Sequence, residues 1–198
     1  FNIAIGSNAL AVQNAGADTH NVAIGHNAGT AVSTGIQNVI IGGLAGDSLT
    51  DADFNIAIGH TALGLDTLGS RSVAIGHSTL DAQNFTTATN TYNVAVGHAA
   101  GSGVTTGVQN TLIGGLAGDV LSDADFNVAI GYAALSTDTL GSSSVAIGRE
   151  ALTTQNFTTA TSTYNTAVGF QSGKSVTTGI ENTLIGALAG DALSDADY

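Results

Sequence analysis

The sequence predicts an all-β fold, a parallel β-solenoid or β-roll of about eleven coils. Three observations predict it. The run Asn21-Val22-Ala23-Ile24-Gly25 returns in variants such as Asn55-Ile56-Ala57-Ile58-Gly59, Ser72-Val73-Ala74-Ile75-Gly76 and Asn165-Thr166-Ala167-Val168-Gly169. Its closing glycine falls at Gly6, Gly25, Gly42, Gly59, Gly76, Gly97, Gly114, Gly131, Gly148, Gly169 and Gly186, mostly 17 residues apart, with steps of 19 and 21. Short β-prone runs at near-fixed spacing are the mark of stacked coils that bury a core only against their neighbours. Third, the coils themselves form a higher-order repeat of 72 residues, four coils long.

Within a coil, Val-Ala-Ile is a short strand of β-branched and small residues. Ala28 and Gly29 follow it, small enough for close approach of a neighbour. The next corner carries Gly35, read as a positive-φ position, and Asn38, which can bond turn backbone. The asparagine before the strand forms a column: Asn2, Asn21, Asn38, Asn55, Asn93, Asn110, Asn127, Asn165 and Asn182, with Ser72 and Ser144 in two coils. A ladder satisfying turn backbone is the reading.

Alternate strand residues face opposite sides. We assign Val22/Ile24, Ile56/Ile58 and Val73/Ile75 to the coil interior. The other parity is Ala4, Ala23, Ile40, Ala57, Ala74, Ala95, Leu112, Ala129, Ala146, Ala167 and Leu184, also apolar throughout. Two apolar faces predict a strand buried on both sides, so the alanine column is expected at a subunit interface, with Ile40, Leu112 and Leu184 as bulkier plugs.

The coils repeat in turn every 72 residues. The segment from Gly46 to Phe54 returns from Gly118 to Phe126 and from Gly190 to Tyr198. The longest coils carry Gln83–Thr89, repeated unchanged as Gln155–Thr161, with four additional residues. Insertions in repeat proteins go to loops, which places Asn84–Tyr92 and Asn156–Tyr164 as protrusions. Residues 1–198 read as one solenoid segment, a rod about 50 Å long whose 72-residue unit repeats every ~19 Å. Both ends lie within the repeat, so the expectation is a piece of a longer fibre or a head-to-tail filament.

Composition narrows the function classes. The net charge is −12, with Arg71, Arg149 and Lys174 as the only strong cations, which argues against nucleic acid and anionic membranes. No apolar run reaches the roughly 18 residues of a membrane helix, so this segment is not expected to insert. Cysteine is absent, which excludes disulfides and thiol chemistry; this does not fix the compartment, though it suits an exposed fibre that cannot rely on a redox state.

The Asn/Ser-Val-Ala-Ile-Gly strand, with Ser72–Gly76 followed by His77-Ser78 and again Ser144–Gly148, resembles the YadA-like head repeat of trimeric autotransporter adhesins. It is also similar to repeats of phage tail fibres, which the Thr105–Gly107 and Thr177–Gly179 corners resemble more closely. The resemblance covers all eleven strands. It implies a left-handed β-roll, a homotrimer around a threefold axis, and projection from a cell or virion surface.

Candidate chemistry is sparse. His26, His60, His77 and His98 follow the strand glycine and read as an exposed ladder, since Gly43, Gly115, Tyr132, Arg149, Phe170, Ala187 and Ser7 take the same place. Asp47, Asp51 and Asp53, recurring as Asp119, Asp123, Asp125 and as Asp191, Asp195, Asp197, are the calcium candidates, because hard cations take clustered carboxylates. The competing reading is Asp-capped turns and an acidic surface. Asn84 and Asn156 match the N-glycosylation pattern, each followed by Phe and Thr. A glycosidase pair or a Ser-His-Asp set would not recur in several coils without a defined base, so no catalytic residue and no enzyme are assigned. An ice-binding threonine face is disfavoured, because Thr86, Thr87 and Thr89 sit in a loop found once per four coils.

The expectation is a structural and adhesive extracellular fibre segment, a homotrimer without cofactor, on a cell or virion surface, with a host surface or glycan as its receptor. The alternatives are a calcium-binding β-roll module, which calcium would stabilise, and a glycan-cleaving tailspike, which needs a groove of paired acids and aromatics.

Overall fold

The computed structural model describes residues 1–16 and 18–197, so Tyr198, the counterpart of Phe54 and Phe126, lies outside the described residues. The chain is a parallel β-solenoid, with no helix among the described residues. Eleven three-residue strands, from Ile3–Ile5 and Val22–Ile24 through to Thr183–Ile185, stack in chain order into one parallel sheet. Register is uniform: Val22 pairs with Val39, Ala23 with Ile40, Ile24 with Ile41. Each rung is closed by bonds such as Val22 N–H to the Asn38 carbonyl and Gly25 N–H to the Ile5 carbonyl, both 2.8 Å.

The closing glycine is obligatory for two reasons. Gly25 sits at φ 142°, and a Cβ there would lie 2.4 Å from the Gly42 carbonyl oxygen one coil on. The column is therefore a place where backbone stacks directly on backbone. Gly35 corrects an expectation. It is not among the positive-φ residues; a Cβ would meet the Ala52 carbonyl oxygen at 2.4 Å, so close approach selects it, and the left-handed residue of that corner is Gln37, φ 54°.

The two strand faces are the reverse of the assignment made from the sequence. Ala23, Ile40, Ala57, Ala74, Ala95, Leu112, Ala129, Ala146 and Ala167 are fully buried inside the coils, not at a surface. The Val/Ile pairs point outward and are half-buried by their neighbours along the stack. The terminal rungs, Ala4 and Leu184, are covered less. The physical reason is size matching across a narrow coil. Where the strand centre is Ala57, Ala74, Ala129 or Ala146, the corner four residues after the glycine carries Leu63, Leu80, Leu135 or Leu152, all buried. Where it is Ile40, Leu112 or Leu184, the same corner is Gly46, Gly118 or Gly190, and a Cβ there would press on those side chains at 3.5, 2.8 and 2.7 Å. In the coils of Ala23, Ala95 and Ala167 the corner is also glycine, because a Cβ on Gly29, Gly101 or Gly173 would press on Ile40, Leu112 or Leu184 of the next coil at 2.9, 2.7 and 2.9 Å, so each bulky centre takes corner space in two coils. Ile40, Leu112 and Leu184 are thus plugs of the core. Leu49, Val32, Ala52 and their repeats complete it.

The inserted loops are shorter than expected. Phe85 and Phe157 turn inward and are nearly buried, 7% exposed. Thr89–Asn90 then pairs in parallel with Gly69–Ser70, and Thr161–Ser162 with Gly141–Ser142. What stands out is mainly Asn84, Thr86–Ala88 and Asn90, with their counterparts at Asn156 and Thr158–Ala160.

Candidate functional site

The surface that the fold leaves unpartnered is the outward face of the long sheet. It presents two columns of β-branched side chains, Val22/Ile24, Val39/Ile41, Ile56/Ile58, Val73/Ile75 and so on, with Thr111, Thr166 and Thr183 as the polar members. The residue before the buried asparagine, held at positive φ as at His20, Gln37 and Phe54, and the residue after the glycine flank the three-residue strand and form two further columns that border the face. One rim holds Phe1, His20, Gln37, Phe54, Arg71, Tyr92, Gln109, Phe126, Ser143, Tyr164 and Glu181. The opposite rim is the Ser7, His26, Gly43 … Ala187 column already described. Phe1 and His20 share a shallow depression with Ile3 and Val22, which fixes the first rim beside the β-branched columns.

These rims collect side chains that the rest of the surface lacks. Every exposed aromatic among the described residues is on one of them: Phe1, Phe54, Tyr92, Phe126, Tyr132, Tyr164 and Phe170. So are all five histidines and two of the three strong cations. His60, His77 and His98 stack with ring centroids 5.5 and 5.3 Å apart, the ladder the sequence predicts. Arg71 lies 4.6 Å over the Phe54 ring, and Arg149 5.7 Å over Phe170. Among fifteen acids, only Glu181 falls on a strand or rim. A chain of charge −12 therefore carries one nearly acid-free, apolar face along its length.

The calcium candidates are placed as three sets four coils, or about 19 Å, apart. Asp53, Asp125 and Asp197 accept the backbone N–H of Ile36 (2.8 Å), Val108 (2.7 Å) and Ile180 (2.9 Å) one coil away. Asp51 and Asp123 accept the hydroxyls of Thr34 and Thr106; Asp195 accepts that of Thr177. These residues cap turns. Asp47 and Asp119 are half-buried, and desolvation raises both carboxyls above the ordinary range; Asp191 is exposed in the last coil. No group of three His, Asp or Glu among the described residues is arranged to hold a metal. Asn84 and Asn156 are exposed, with the Phe of each motif tucked under them.

The asparagine column behaves as a ladder. Asn38 Oδ1 accepts from Asn55 N–H (2.9 Å), and its Nδ2 donates to the Ala52 carbonyl (2.7 Å). Reading the sequence misses how the ladder survives Ser72 and Ser144. There Gln83 donates to Ser72 Oγ (2.9 Å) and accepts from Asn93 Nδ2 (2.9 Å), while its Nε2 also reaches the fully buried Asp66. Asp66 accepts two backbone N–H groups as well, from Gly69 and Phe85. Gln155 and Asp138 repeat the device. Its signal was the invariance of Gln83–Thr89 and Gln155–Thr161.

No family model, curated protein or solved structure matches the chain.

Proposed function

We propose that the chain is a stiff segment of an extracellular fibre that associates with copies of itself through the outward sheet face and carries no catalysis. The observation behind this reading is that face: eleven rungs of β-branched side chains, rimmed by aromatics and nearly free of acids, on a strongly acidic chain. From rim to rim it measures at most roughly 20 Å by 48 Å, or about 960 Å². A stable interface takes about 800 Å² from each partner. Like-charged copies repel except where the acids are absent, so a second copy is the partner that this surface suits. The resemblance to adhesin heads and tail fibres favours three chains, a place on a cell or virion surface, and an adhesive role toward a host surface or glycan.

Light scattering at micromolar concentration tests the reading. The parent chain is expected as an oligomer, and the double variant Ile75→Lys/Ile130→Lys as a folded monomer, because both side chains leave the coil core untouched. By contrast Ala74→Asp or Ala146→Asp would put a charge inside the coil and unfold it. A monodisperse, folded parent monomer would refute self-association.

A further inference from the structure

The 72-residue repeat copies the coils closely but leaves one group of side chains uncopied. The stretches Asp66–Gly76 and Gln83–Asn93 return as Asp138–Gly148 and Gln155–Asn165 with a single difference in each. Arg71 becomes Ser143, and Asn90 becomes Ser162. The two residues that differ are the two that touch: Arg71 Nε donates to Asn90 Oδ1 at 3.0 Å. Their rim neighbours keep their kind, Phe54 as Phe126 and Tyr92 as Tyr164. Ser142 and Ser162 pair in the same parallel register as Ser70 and Asn90, so the coil does not need the Arg–Asn pair in order to form.

The pair holds a guanidinium ready for an anion. Arg71 lies 4.6 Å over the Phe54 ring, which fixes it from one face, and the bond to Asn90 fixes one edge. The two Nη groups are left as a fork, the shape that takes a planar carboxylate through two parallel hydrogen bonds. Arg149 and Lys174 are both paired with Glu150, whereas Arg71 makes no ion pair among the described residues. Asp53, next to Phe54 in the chain, turns its Oδ1 to the Ile36 N–H, one coil further from Arg71. Asn90 Oδ1 is taken by Arg71, so its Nδ2 remains a donor. Tyr92, 52% exposed in the next coil, adds a ring and a hydroxyl. The guanidinium leans toward Thr89–Asn90 and off the β-branched columns, so it is reached from the side of the rod.

We propose that Arg71, Asn90 and Tyr92, with Phe54 positioning the guanidinium, bind a sugar that carries a carboxylate. The acid lies on the Arg71 fork, a neighbouring hydroxyl accepts from Asn90 Nδ2, and the C–H face of the sugar ring packs on Tyr92. A peptide rich in acids would be repelled by a chain of charge −12, whereas a sugar acid brings one carboxylate alone. A single shallow site of this kind binds weakly, and a fibre that repeats it gains by avidity. The site rests on the adhesive part of the proposed function, toward a glycan, and needs no contact between copies.

Saturation-transfer NMR of the parent chain with N-acetylneuraminic acid, glucuronic acid, galactose and acetate tests the site. At least one of the two sugar acids is expected to bind, and more tightly than galactose or acetate. Arg71→Ser, which copies Ser143 and so keeps the coil, should weaken that binding by about tenfold or more. Arg71→Lys should weaken it less, because the charge stays and the fork goes. Ser143→Arg/Ser162→Asn, added to the Arg71→Ser chain, should bring binding back, since Phe126 and Tyr164 already flank that place. Sugar-acid binding that survives Arg71→Ser, or that this rescue fails to restore, overturns the site and leaves glycan adhesion standing. Galactose bound with neither acid bound does the same. Acetate bound as tightly as the sugar acids overturns the sugar as the ligand. A folded parent that binds none of the four overturns both the site and the glycan reading on which it rests.

Discussion

At the scale of single residues, the closing glycine is the least replaceable position in the coil. Gly76 sits at φ 139°, and a Cβ there would lie 2.2 Å from the Gly97 carbonyl oxygen. Neither term can relax without parting two coils. Gly76→Ala is expected to cost about 3 kcal/mol or more, from strain and overpacking together, read as a fall in the urea midpoint. A loss of a few tenths of a kcal/mol would mean that the coils separate easily at this column. The asparagines show the opposite economy. One side chain satisfies two neighbours, as Asn55 does with Ser72 N–H (2.8 Å) and the Gly69 carbonyl (2.9 Å). Polar groups that would otherwise be orphaned in the core are thereby paired.

At the scale of the coil, the strand centre packs against the glycine-following corner of its own coil and of the coil before it. Ala57 with Leu63 and Ile40 with Gly46 are two solutions to the same cross-section. Ala57→Leu alone overpacks and should cost about 1–3 kcal/mol. Leu63→Gly alone opens a cavity, partly offset because Leu63 sits at φ 52°, which glycine adopts without strain, for about 2–4 kcal/mol. Combined, the two should cost less than their sum by at least about 1 kcal/mol, measured as a double-mutant cycle in urea. Strict additivity would show that the two positions pack independently.

At the scale of the whole molecule, charge is distributed by face, and its response to pH follows from two opposed groups. Hydrogen bonds from Gln171, Lys174 and Arg149 hold the Glu150 carboxyl down to about 2. Being lowered, this group stabilises the fold above the ordinary Glu range, and its contribution is lost progressively as pH falls through about 2. Asp47, Asp81 and Asp119 are raised by desolvation, partly offset at Asp81 by His60 and His77. Raised carboxyls work in the other direction. They weaken the fold where ionised, and the penalty is relieved as pH falls through their raised values to the ordinary Asp range. Asp119 adds a buried Oδ1 without a hydrogen-bond partner. Asp119→Ser, which copies Ser102 and Ser136 of the adjoining coils, is expected to raise Tm by about 1–3 °C at pH 7. The gap should close near pH 3.5, where the parent carboxyl is protonated. A gap of constant size at both pH values in scanning calorimetry would assign the effect to packing instead.

The sequence by itself determined the coil: its period, its strand, its glycine, its asparagine ladder and its 72-residue superperiod. Each depends on contacts between a residue and its own counterpart one coil away, and such contacts leave a periodic trace. It did not determine which strand face is the interior, because both are apolar and alternation alone has no sign. Only the closed cross-section decided that, by setting Ala57 opposite Leu63 and Ile40 opposite Gly46. That size compensation was already written in the sequence, but it has meaning only once the corner is known to fold back over the strand. The same closure decided the surface. By taking the alanines inside, it left Val73, Ile75 and their equivalents pointing outward between two aromatic rims, as a single nearly acid-free face. No single coil displays that face; it exists because eleven coils stack in register.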